Sequence, residues 1–269
     1  MRRILDGRVS QLYNIGGINL LPEDEERKIY GSLIPDALLN RFGIDRSFVD
    51  PEGRMLLRAK WTAGNPSVEM SLFHKADFPD PVLYGHLTDT ITGQVHVLLY
   101  ILNDPGSERF DVDRMPDGQT TKFGTSVRNL QAEQAALEAG LAPGQVRRGL
   151  RLLTPAIRAF EGFVQELGHD MYFVEPLYYH NAVIFERYGF AYQQGRKLME
   201  RIHSGFAEDG EFVSRLDGSM FRRMESKDSI RLRSWAIHDG IMREPFTNVT
   251  MYKRVGKSAG VSTTGVMAW

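Results

Sequence analysis

Apolar positions recur every three or four residues near the start of the chain, then every second residue, then every three or four again. Ile29, Leu33, Ile34, Leu38, Leu39 and Phe42 have the spacing of one helical face. Pro22 followed by Glu23, Asp24, Glu25 and Glu26 is a helix start, with carboxylates where the macrodipole favours them. Pro35 divides this region into two short helices. Residues 1–50 thus read as a helical N-terminal extension. Between 52 and 103 the runs at 54–61, 68–74, 82–88 and 94–102 are rich in β-branched, aromatic and aliphatic side chains. Gly64-Asn65-Pro66 and Thr92-Gly93 punctuate them. Short connections predict antiparallel pairing, with Tyr84, His86 and Thr88 on one face of a hairpin.

After a polar loop at 103–123, a helix is expected from Ser126, carrying Val127, Leu130 and Leu137 and stopped by Gly140. A second, shorter helix is expected over 143–153. Thr154-Pro155 then opens another, with Ile157, Phe160, Phe163, Val164 and Leu167 on one face and Gly168 at its end. A short strand at 171–174, a helix at 181–188 and a strand at 190–194 follow. Further strands are expected at 229–237 and 249–254. This order predicts an α/β (α+β) fold, with a mixed, largely antiparallel central sheet flanked by helices. The division is 1–50, 51–255 and a Gly/Ser/Thr-rich flexible tail at 256–269.

With 42% hydrophobic and 25% charged residues, the chain has the balance of a globular protein with a sizeable core. A net charge of −1 argues against broad electrostatic binding to nucleic acid or an acidic membrane. There is no cysteine, which removes disulfides, thiolate catalysis and cysteine-ligated metals and suits a reducing compartment. The opening residues lack the apolar core of a signal peptide, and the apolar run at 95–102 is far below the roughly 20 residues that span a bilayer. A soluble, cytoplasmic protein with a small-molecule partner is expected. No metal is expected either. Asp111, Asp113 and Asp117 lack the remaining ligands of an EF-hand, and His86 and His96 lack a third ligand.

The segment at 178–190, YYHNAVIFERYGF, resembles the last helix and following strand of the GNAT-type acyltransferases, through Glu186, Arg187, Gly189 and Phe190. The helix and strand before it fall in the family's order, so the resemblance covers about residues 140–194. It implies a mixed sheet splayed between two central strands where an acyl-CoA inserts, acetyl-CoA or a longer one, and transfer of the acyl group to a small amine or similar nucleophile. It also implies a phosphate-binding loop near Gly144, Gln145, Arg147, Arg148 and Gly149, with Arg151 adding charge. Where the family often carries a tyrosine acid this chain has Phe185, so Tyr188 or Tyr178 would take that role, or the groove would only bind.

Glu175, at the end of a predicted strand, and His180 are candidate bases. Their bland readings are a helix cap and a surface histidine. His238-Asp239-Gly240 reads as a turn or an oriented base. Ala136, Gly140 and Val146 have the spacing of a helix-turn-helix over 132–151, with 145–151 as recognition helix. Three functions stand side by side: acyltransferase, non-catalytic binding or interaction protein on the same fold, and DNA-binding regulator.

Overall fold

The computed structural model describes residues 2–5, 8–11, 13–121 and 127–269. Ser126, the expected helix start, and residues 1, 6 and 7 of the opening segment lie outside them. Along the described chain run β1 (Arg2–Leu5), β2 (Arg8–Gln11), α1 (Ile15–Ile18), α2 (Glu23–Gly31), α3 (Asp36–Phe42), β3 (Leu57–Lys60), β4 (Ser67–Leu72), β5 (Leu83–Asp89) and β6 (Val95–Leu102). Then come α4 (Leu130–Glu138), α5 (Leu153–Glu166), β7 (Met171–Val174), α6 (Tyr179–Arg187), β8 (Ala191–Gln194), α7 (Arg196–Gly205), α8 (Ile230–His238) and β9 (Thr250–Arg254). The fold is α+β. Its main sheet is open, mostly antiparallel and seven-stranded, in the order β3-β4-β5-β6-β7-β9-β8, and β1 pairs with β2 alone. Among the described residues no helix is long and apolar enough to cross a membrane.

Two compact units divide the chain, each assembled from three stretches. The first comprises Met1–Pro105, Gly149–Glu175 and Tyr252–Ser258. Its strands β3 to β6 form the expected antiparallel meander. Burial alternates as a one-sided sheet requires: Val68, Met70 and Leu72 of β4 and Leu83 and Leu87 of β5 are buried, whereas Tyr84, His86 and Thr88 are half-buried. From β6 the chain returns through α5 to β7, which pairs with β6 in parallel, as a helical crossover allows. The Phe160 ring of α5 lies 5.3 Å from that of Tyr100 on β6 and 6.0 Å from that of Tyr172 on β7.

The second unit comprises Gly106–Arg148, Pro176–Met251 and Ala259–Trp269. Its core gathers Phe110, Val112, Ala136, Leu137, Leu141 and Val146 around Trp235, whose indole N–H donates to Leu141 O at 2.9 Å. Residues of the tail are tied into this unit. Ile230 N–H donates to Ala268 O at 3.0 Å, and Arg187 donates to Met267 O at 2.8 Å.

Two expectations are corrected. The strand expected at 229–237 is helix α8, capped by Ser229, whose hydroxyl accepts from Leu232 N at 3.3 Å. Ile230, Arg233, Ser234, Trp235, Ala236 and Ile237 are all buried, so the helix has no polar face and shows no period of 3.6 to read. The helix expected over 143–153 does not form. Gly144 and Arg151 adopt left-handed φ values of 79° and 58°, and Gly149 forms an antiparallel bridge with Asn103. The helix-turn-helix over 132–151 therefore lacks its recognition helix. The helix α7 had no counterpart in the sequence reading.

Candidate functional site

In the first unit, β6 and β7 share only two register pairs, His96 with Phe173 and Val97 with Val174. One further rung follows, from Glu175 N–H to Val97 O at 3.0 Å. Beyond it β6 runs on to Leu102 while β7 has ended. Its residues Leu98, Leu99, Tyr100, Ile101 and Leu102 are half-buried, although this is the middle strand of seven. Leu98 is also the extra residue of a β-bulge, because His86 pairs with Leu99 and Leu87 with Val97. It thus lies outside both ladders of β6, an arrangement that re-aims a backbone group.

Around this parting stand several of the expected residues. Glu175 is exposed immediately after β7. The helix α5 opens close behind Gly149 and Arg151, with no acidic residue in its first turn and no side-chain cap. Its N-terminus therefore keeps the positive end of the dipole uncompensated by local carboxylates. His96, weighed on the sequence only as a metal ligand, has no hydrogen-bond partner at Nε2. Burial holds its pKa below the usual imidazole value, and the negative charge of Glu175 opposes that shift. It is a neutral base at pH 7.

The remaining expected residues belong to the second unit. Tyr178 precedes α6, and its ring is stacked on that of His180, 5.6 Å between centroids, and lies 5.7 Å from that of His238. Burial, helped by the charge of Glu133, raises the Tyr178 pKa, so the phenol keeps its proton at neutral pH. His180 is 3% exposed, and burial, with a contribution from His238, lowers its pKa to about 3. Its Nδ1 lies 2.8 Å from the hydroxyl of Ser234, itself buried. A serine and a neutral imidazole are thus paired inside the protein, where no bulky substrate has access. Tyr188 is half-buried at the end of α6, and the ring of Phe185 packs 5.0 Å from that of Phe190.

The expected phosphate loop is occupied with its own structure. Gln145 accepts from Ala142 N at 2.7 Å, the buried guanidinium of Arg147 donates to Ser107 O, and Arg148 donates to Ala139 O at 3.3 Å. A Cβ on Gly144 would stand 2.4 Å from Cε2 of Tyr178, so the missing side chain makes room for that ring. Gly144→Ala is expected to destabilise the protein by roughly 2 kcal/mol, part backbone strain and part overpacking. In a Tyr178→Ala background the overpacking part should vanish, and urea unfolding of the four variants of the cycle measures it.

Sequence reasoning missed the polar group beneath Tyr178. His238 Nε2 donates to Glu133 Oε1 at 3.0 Å, and Arg128 bridges Glu133 at 2.8 Å and Asp239 at 2.7 Å. His238 and Asp239, neighbours in the sequence, thus serve different partners. The available signal was Glu133 itself, a carboxylate in line with Ala136 and Leu137 on the apolar face of α4. Among the described residues no group of three or more His, Asp or Glu side chains is placed to hold a metal ion. No family model, curated protein or solved structure matches the chain.

Proposed function

We propose that the protein is an acyl-CoA-dependent acyltransferase that holds its thioester where β6 and β7 part. The observation that carries this reading is the end of pairing at Val97 and Val174, which leaves five half-buried apolar residues on the middle strand. An acyl-pantetheine arm is narrow and amide-bearing, and it suits a slot between two strand edges. Its pyrophosphate would meet the uncapped N-terminus of α5 and the exposed Arg151. The resemblance of residues 140–194 to the GNAT-type family leads to the same chemistry.

In the reaction, an amine attacks the thioester carbonyl, the C–N bond forms and the C–S bond breaks. The peptide N–H of Leu98 is the candidate donor to the developing oxyanion, and Glu175, with His96 beside it, takes the amine proton. The departing thiolate takes up its proton from water; Tyr178 and Tyr188, the acids that the resemblance implies, belong to the second unit and are not assigned to this site. The second reading, binding without transfer, is favoured by Phe185, which has no hydroxyl to give.

The test is calorimetric titration of the chain with CoA and acetyl-CoA. Saturable binding is expected, weakened about tenfold by Arg151→Ala, the worth of one charge-assisted phosphate contact. No heat up to millimolar CoA would overturn both readings, since each needs the nucleotide to bind. Binding without turnover across a panel of amines would select the second.

A further inference from the structure

Glu26 is the residue of α2 that the fold leaves least explained. It is 0% exposed, and neither carboxylate oxygen has a hydrogen-bond partner. Buried polar groups are nearly always paired, and a lone buried carboxylate marks a place where a partner is missing. Glu26 lines a cavity of about 290 Å³, together with Tyr30 of the same helix, Met55, Leu57 and Ala59 of β3 and its approach, and Trp61 beyond it. That volume is at the lower end for small-molecule sites.

The cations at the cavity are already committed. Arg27 donates to Glu23 and, at 3.4 Å, to Asp24. Arg58 donates to Ala76 O at 2.7 Å and lies 4.6 Å over the ring of Phe73. The hydroxyl of Tyr30 donates to Asn19 Oδ1 at 2.5 Å. The cavity therefore carries one uncompensated acidic group, two aromatic rings and aliphatic walls.

From this we infer that the cavity between α2 and β3 is a binding site for a small primary monoamine, its ammonium on the carboxylate of Glu26 and its alkyl or aryl body against Trp61, Met55 and Leu57. An ammonium brings the hydrogen-bond donors that both carboxylate oxygens lack. Its charge matches the single acidic group left without a cation, and the faces of Trp61 and Tyr30 favour a cation near them. A carboxylic acid would place two acidic groups together, and a diamine would bring a second charge with no buried counterpart. Burial raises the pKa of Glu26 to about 7, helped by Glu23 and opposed by Arg27. The inference does not rest on the acyltransferase reading, because the site is defined by α2 and the edge strand β3, three strands from the parting of β6 and β7.

The experiment is titration of the full chain with n-butylammonium and phenethylammonium chlorides at pH 7.5, followed by calorimetry. Saturable binding of at least one amine is expected, with no binding of n-butanol or butyrate. Glu26→Gln should weaken it at least tenfold while its melting temperature stays at or above that of the parent. Trp61→Ala, which keeps the carboxylate, should weaken it several-fold. No saturable binding of either amine, or equal binding to Glu26→Gln, would overturn the inference. No acyl-CoA enters the measurement, so the acyltransferase reading can fail without altering the result.

Discussion

Glu133→Ala is expected to lower the stability of the protein by about 3–5 kcal/mol at pH 7, the cost of removing one partner of a buried ion pair. The Glu133 side chain is 1% exposed and receives hydrogen bonds from Arg128 at 2.8 Å and His238 at 3.0 Å. Truncation leaves a guanidinium and an imidazole N–H facing an empty space, and Asp239 alone cannot satisfy Arg128. Burial by itself would raise the Glu133 pKa, but the hydrogen bonds and charges of His238 and Arg128 outweigh it and hold the group below its usual value. A depressed carboxylate contributes stability above the unfolded pKa of about 4.5 and loses it as pH falls through the folded one. The gap between parent and variant should therefore be widest at neutral pH and shrink in acid below about 4.5. Urea unfolding at a series of pH values measures it, and a loss under about 1 kcal/mol at pH 7 would contradict the account.

Glu26→Leu should do the opposite. Its folded pKa of about 7 lies above the ordinary 4.5, so the folded chain holds this proton more tightly than the unfolded chain. Below about 4.5 the group is neutral in both states and adds no pH dependence; between 4.5 and 7 a penalty grows, and above 7 it is complete. The shift sets an upper bound of about 3 kcal/mol, which water penetration reduces to about 2 kcal/mol. In the absence of amine, the advantage of the leucine variant at pH 8 should exceed that at pH 5 by this amount. Equal advantages at the two pH values would show that the carboxylate is not desolvated in the folded state.

The parts of the fold that were legible in the sequence are those with one wet face. The alternation in β4 and β5 and the stripe Ile157, Phe160, Phe163 and Val164 of α5 each separate a buried side from an exposed one. Helix α8, buried nearly all round, has no such contrast and was mistaken for a strand. The segment expected as a helix over 143–153 misled for another reason: Gly144 and Arg151 turn left-handed, and Gly149 bridges to Asn103, a neighbour distant in sequence that no local pattern reports. Of the candidate site, Glu175 was legible because it ends a strand. The Leu98 bulge was not, since a bulge belongs to the register of two strands. The unpartnered state of Glu26 was equally hidden, because a carboxylate in the first turn of a helix is also what capping and the macrodipole favour.

Each compact unit is completed by a stretch that lies beyond residue 251. The first needs Tyr252–Ser258, where Val255 N–H donates to Asp170 O at 2.8 Å and Lys253 lies 3.5 Å from Glu161. The second needs Ala259–Trp269, where the hydroxyl and backbone N–H of Thr263 satisfy the buried Glu186. A chain emerging from the ribosome can therefore form its early meander and helices, but neither unit has all its residues until synthesis has passed Tyr252. Until those residues are made, the chain presents unsealed apolar surface to whatever holds nascent chains apart.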